Sequence, residues 1–302
     1  MWSVFTDHIN PNRDYPNFTI LALRWLEKEW LVLTPTKGQH QPQGNKQINM
    51  SDTKIFEPGS YRYLRGVRQY SAGIAALDGY RLERVRFSRP LPLIEGFLRI
   101  QQHLNTLGRP LAAFGACELR SPEPFTEQGF VDFNNIYMGT LKAWGIYEEG
   151  GDNPIARSNV CPELNKPSSP SIHAFTYTMP DANAKPSFVI AGSAEAPEGM
   201  SDYRTHSISL GDLSQEGLLK KGHWVLNEME RRMAGLGFTW ADSTATQVYS
   251  IHNIHPIMVR EIAKRGAALS GIDWHYNRPP VEDLEFEMDC RGVYAEYVID
   301  TR

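Results

Sequence analysis

The chain has 302 residues, 41% hydrophobic and 22% charged, with a formal net charge of −4, the composition of an ordinary globular protein with a packed core. Basic and acidic residues are interspersed, which leaves no electrostatic footprint for a nucleic-acid backbone or an anionic membrane, so a small anionic ligand must be met by local arginines. Three cysteines without a CxxC pair support neither a disulfide framework nor a zinc site of the usual spacing, and they fit a reducing cytoplasm.

The most apolar early stretch, residues 20–33, is broken by Arg24, Glu27, Lys28 and Glu29 and has no basic region before it; it reads as neither a signal peptide nor a membrane span. Residues 34–53 are rich in Gln, Gly and Pro and nearly free of large apolar side chains, as in a linker. Met50 lies at the end of this stretch, which marks the leading 49 residues as an extension dispensable for the fold. Residues 79–87 then read as a strand. Residues 93–107 carry Leu93, Ile94, Phe97, Ile100, Leu104 and Leu107 at helical spacing, closed by Gly108. A strand over 111–119 and a helix over 126–144 follow, the helix striped by Phe130, Phe133, Tyr137, Leu141 and Trp144, and strands at 155–161 and 171–178 close the half. From 187 the same order returns: a strand over 187–196, a helix over 214–236, a strand over 244–251, a helix over 255–266, and strand-like runs at 271–280 and 283–290. A pattern of elements that occurs twice implies an internal duplication. The expected organisation is an extension over 1–53 and two α+β units over 54–180 and 181–302.

Chemistry-bearing residues fall on the late strands of each half. Arg157 and Asn159, two residues apart, share one face of the 155–161 strand. That face belongs either to an exposed edge strand or to a carboxylate clamp, because a guanidinium presents a planar fork matched to a carboxylate. In "DLEFEMDC", alternation puts Leu284, Phe286, Met288 and Cys290 on one face and Glu285, Glu287 and Asp289 on the other. The acidic face is either solvated or lines a cleft, where a desolvated Glu gains a raised pKa. His173 stands on the corresponding strand of the first half. "HNIH" at 252–255 has the look of a metal pair but no nearby Cys or carboxylate in sequence, so no metal site is expected. No GxGxxG, GxxxxGK[ST], GxSxG or HExxH occurs, which removes the signatures of the nucleotide folds, α/β-hydrolases and zincins.

"FGACELRSPEPFTEQGFVDFNNIYMGTLKAWG" (114–145) followed by "NPIARSNV" resembles the Rid (YjgF-like) family of enamine/imine deaminases, through its Asn-x-x-Tyr helix step and its Ala-Arg-Ser strand. "FVIAGSAEAPEG" (188–199) is similar to that family's early strand and glycine turn, and "LEFEMDC" to its closing Ile-Glu-x-Glu strand. The resemblance implies two tandem Rid-like, chorismate-mutase-like domains, each a curved mixed sheet backed by two helices, in a homotrimer. It also implies that Arg157 holds a substrate carboxylate and that Glu287, from the other half, positions the attacking water. Asn134, Asn159, His173, Gly192, Ser193 and Glu195 are then substrate contacts. Asn159 stands where many members have Cys, and Trp274 or His275 where a second Arg is expected, so about one competent cleft per chain is implied, with Arg278 close enough to compensate only if the register slips. "ELRSPEPF", "NPIARSNV" and "HAFTYT" look most like two-domain members that deaminate 2-aminomuconate-type acids in aromatic degradation. Such chemistry requires a proton donor, a placed water and a fixed carboxylate rather than a cofactor. A chorismatase-like hydrolase and a non-catalytic ligand-binding member are the alternatives.

Overall fold

The computed structural model describes residues 53–200 and 203–301; the expected extension, apart from Thr53, lies outside the described residues. Among the described residues, thirteen strands are arranged in two mixed sheets, giving an α+β architecture. Strands β1 (Thr53–Phe56), β2 (Tyr61–Leu64) and β3 (Gly73–Ala76) form an antiparallel meander. Then come β4 (Tyr80–Pro92), helix α1 (Leu93–Thr106), β5 (Phe114–Arg120), helix α2 (Glu127–Ala143), β6 (Ala156–Pro162) and β7 (Ser171–Pro180). The second half supplies β8 (Phe188–Ala194), helix α3 (Gln215–Gly235), β9 (Ala245–Tyr249), an irregular helical stretch over 255–265, β10 (Asp273–His275), β11 (Asn277–Arg278), β12 (Glu287–Gly292) and β13 (Ala295–Ile299).

The helices form where the apolar stripes fall. Phe97, Ile100 and Leu104 of α1 and Phe130, Phe133, Tyr137 and Leu141 of α2 are buried against the six-stranded sheet, while Ile94, placed on the same stripe by sequence, is 74% exposed. Leu218, Val225, Met229 and Met233 of α3 do the same for the seven-stranded sheet, together with Ile257 and Ile262 of the irregular stretch. Each such side chain contributes about 1.5–3 kcal/mol on burial. Thr126 and Ser214 cap α2 and α3 by accepting from the amides of Gly129 and Gly217, both at 3.1 Å, contacts worth about 1 kcal/mol each.

The sheets do not keep to the halves. The seven-stranded sheet runs β1-β2-β3-β8-β12-β9-β10, so the first half's meander completes the second half's sheet. The six-stranded sheet runs β11-β6-β5-β7-β4-β13, with the C-terminal β13 parallel to β4. The meander and β13 have no counterpart in the sequence pattern. The run over 271–280, expected as one strand, is divided: β10 pairs with β9 in one sheet and β11 with β6 in the other. Pro279 and Pro280 lack the N–H groups that would extend the pairing.

Candidate active site

Strand β6 is no exposed edge, because β5 flanks it on one side and β11 on the other. Arg157 is 3% exposed. Its guanidinium is boxed by the rings of Tyr70 (4.8 Å), Tyr137 (4.9 Å), Phe130 (5.6 Å) and Phe133 (5.7 Å). Nη1 donates to Asn134 Oδ1 at 2.6 Å. The helix step expected from Asn134 and Tyr137 therefore converges on Arg157. No carboxylate pairs with this guanidinium among the described residues. A buried cation whose neighbours are aromatic faces and one amide oxygen is electrostatically incomplete, and a carboxylate is the group that completes it.

Arg157, Asn159, Gly192 and Glu287 line one cavity of about 430 Å³, including the space at its mouth. Glu287 enters from β12, 3% exposed and without a hydrogen-bond partner among the described residues. Burial pushes its carboxyl well above the usual range, and the carboxyls of Asp289, Glu198 and Glu195 add to the shift against a smaller opposing effect of Arg232. Gly192 makes room for it, since a Cβ there would collide with the Glu287 carboxylate and lie 3.2 Å from Ser158 Cα. Asn159 Oδ1 accepts from Ser121 Oγ at 3.0 Å, and its Nδ2 is buried without a partner, a donor left over for a ligand. Pro280, Val281, Leu284, Phe130 and Ala196 give the rest of the wall an apolar character. The cavity can thus fix an anion at one end and handle a proton beside it.

Residues 53–297 match the family described as 2-aminomuconate deaminase CnbZ. The chain belongs to that family. A 2-amino-5-chloromuconate deaminase of Comamonas testosteroni is 49% identical over 252 residues, 83% of this chain and 100% of that protein. Among solved structures, a chorismatase matches with a TM-score of 0.46 at 12% identity, covering 80% of this chain and 79% of that one. The YjgF gene product of E. coli matches with a TM-score of 0.26 at 12% identity, over 36% of this chain and 80% of that one.

In this CnbZ-family chain the other expected site residues lie elsewhere. Glu195 is fully buried and structural in its contacts: it pairs with Lys221 at 3.1 Å and accepts from the amides of Glu285 and Phe286 at 2.7 and 3.0 Å, fastening the approach to β12. Its carboxyl is raised because burial outweighs Lys221. Ser193, neighbour of Gly192, donates only to the Ala194 carbonyl at 3.4 Å and does not line the cavity. His173 belongs to a separate group around Arg120. Glu285, the rival of Glu287, hydrogen-bonds His252 Nε2 at 2.7 Å and is also outside the cavity. Arg278 is no spare clamp, being held by Glu163 at 2.8 Å.

Sequence reading missed Tyr70, Glu198, Tyr203 and Arg232. Glu198 lines the cavity and accepts from Tyr70 Oη at 2.9 Å and Arg232 Nη2 at 3.0 Å. Arg232, 1% exposed, also binds Glu228 at 2.8 Å and donates to the Ala191 and Gly192 carbonyls at 3.3 and 3.4 Å. It therefore ties the glycine segment to the cavity's second acid. One signal for it existed: Arg232 stands three residues after Met229 and seven after Val225, on the apolar stripe of α3, where an unpaired cation would be costly.

Proposed function

We propose that the protein deaminates a 2-aminomuconate-type dicarboxylic acid, releasing ammonia and the 2-keto acid of the 2-hydroxymuconate or 4-oxalocrotonate type. The observation that carries this reading is the meeting, in one cavity, of a buried guanidinium without an acid partner and a carboxyl whose pKa burial raises well above the usual range. The family match and the relative's activity support the substrate class. They give no support to the chorismatase-like alternative or to a non-catalytic role.

Arg157 binds the carboxylate next to the amino-bearing carbon and fixes that carbon in the cavity. Glu287 gives its proton to the enamine carbon, turning C=C–NH₂ into an iminium. As a carboxylate it then takes a proton from the attacking water, and a neutral carbinolamine forms. Glu287 returns that proton to the amine, ammonia leaves as the C=O bond forms, and the hydroxyl proton restores neutral Glu287. The sum is enamine plus water giving keto acid plus ammonia. The Asn159 Nδ2 donor and the apolar wall keep the chain of the diacid aligned.

Residues 54–180 and 181–302 are taken as the two copies of a duplicated Rid-like unit, the chain as cytoplasmic, and the assembly as a homotrimer. Ammonia release from 2-aminomuconate by the purified protein, with chorismate turnover followed in parallel, tests the reading. Deamination without chorismate turnover is expected, and failure to release ammonia overturns it.

A further inference from the structure

Arg157 has a counterpart in Arg120, at the end of β5. Arg120 is 3% exposed, and no acid pairs with it among the described residues. Nη1 donates to the neighbouring Leu119 carbonyl at 2.9 Å, and Nη2 is buried with no hydrogen-bond partner. The guanidinium lies over the ring of Tyr249 on β9, 5.5 Å from its centroid. His275, on β10, stacks on the same ring at 5.1 Å and 24°. His173, on β7, feels the charges of Arg120 and His275. Burial, then the charge of Arg120, pushes the His275 imidazole down to about 4 and that of His173 well below its usual range. His173 Nδ1 and His275 Nε2 are both buried without a partner.

The acids nearby are already engaged. Glu118 is held by Arg84 through two bonds, at 2.5 and 2.8 Å. Asp289 accepts from Gln247 at 3.0 Å and from Tyr249 at 2.9 Å. Asp273 and Arg84 contribute only weaker charge effects on His275. The unpartnered edge of one permanent positive charge on β5 is thus accompanied by two unpartnered imidazole nitrogens from β7 and β10. Leaving such groups empty is costly inside a protein.

The placement follows the internal repeat. His275 is on the run that answers to the Arg157 strand, and His173 is on the strand that answers to the Glu287 strand. By that repeat the group stands where a second cleft of the duplication is expected, with its arginine supplied from β5 in place of the strand that lost it. We propose that this cleft binds a small carboxylate: the free Nη2 edge and two neutral imidazoles, each able to donate one N–H, suit a planar oxyanion. Both histidine residues keep some exposed surface, while their unpartnered nitrogens are buried.

The test separates this site from the first by working in Arg157→Met protein. In chloride-free buffer, acetate is expected to raise the melting temperature of Arg157→Met saturably. Adding Arg120→Met should abolish that rise at equal ionic strength without lowering the melting temperature of the acetate-free protein. Arg157→Met/His275→Phe, which keeps the cation and removes one donor, should bind acetate about ten-fold more weakly, as for one lost hydrogen bond. Absence of a saturable rise in Arg157→Met, or an undiminished rise after Arg120→Met or His275→Phe, overturns the proposal. None of these outcomes depends on which reaction the first cavity performs.

Discussion

At the scale of single residues, the chemistry rests on what can replace a guanidinium or a carboxyl. Arg157→Lys keeps the charge but gives up the planar fork, so kcat/KM for 2-aminomuconate should fall about thirty- to a thousand-fold, equivalent to about 2–4 kcal/mol. Near-wild-type turnover in a folded Arg157→Lys would remove it from the site. Glu287→Gln keeps the shape but cannot give or take the proton, and kcat should drop by about 10²–10⁴ with little change in KM. Glu285→Gln should stay close to wild type, since its partner is His252. The raised pKa of Glu287 also fixes the sign of one pH limb: the neutral acid is the working form, so wild-type kcat should fall as pH rises through that pKa, and Glu287→Gln should lack the limb. Gly192→Ala puts a methyl where the carboxyl sits. A misplaced acid at this distance costs about ten-fold or more in kcat, and unchanged kinetics in that variant would show that the glycine does not shape the site.

At the scale of elements, β12 carries acids that nothing in its own sequence keeps dry. Glu287 pairs across to Ala194 on one side and Tyr249 on the other, and Asp289 pairs to Gln247 on β9. Both acids are buried because a second sheet covers this face. The carboxyl of Asp289 is pushed up to about 6, chiefly by burial and next by Glu118. In the unfolded chain it titrates near about 3.9, so the native state binds more protons between these values and stability falls as pH rises from about 4 through 6. Asp289→Asn lacks that fall. Urea denaturation should show the variant gaining on wild type by about 2–3 kcal/mol from pH 4 to 7; identical pH dependence of the two would sink this account of Asp289.

At the scale of the molecule, Arg157 and Glu287 meet in one cavity from the two halves of the same polypeptide. Activity per chain should therefore be unchanged on dilution, whatever the assembly. The homotrimer proposed from the Rid resemblance predicts sedimentation at about three times the 34.3 kDa chain mass; a stable single-chain species at micromolar concentration would contradict it. The exchange of β1–β3 and β13 between sheets binds the halves together. Neither half isolated at the 180/181 boundary retains all the strands of its sheet, and each would expose an unpaired edge.

How far the sequence alone reached can be judged from particular stretches. The stripes of α1, α2 and α3 were legible because helix packing repeats every few residues, and the apolar face of "LEFEMDC" because side chains alternate along a strand. Arg157 and the acidic face of β12 were legible as candidate chemistry from residue type and alternation, whereas Asn134 and the choice of Glu287 came only through the Rid resemblance. What the sequence could not contain was adjacency across the fold. The same alternation allowed Glu285 or Glu287, and only the covering sheet and the hydrogen bond from His252 separate them. Glu195 read as a site acid until Lys221 and two backbone amides claimed it. Tyr70, Glu198 and Arg232 reach one point from a loop, a turn and a helix, with Tyr70 more than a hundred residues before the other two. Period and composition are local properties of a chain; desolvation and charge pairing belong to whichever surfaces the finished fold brings together.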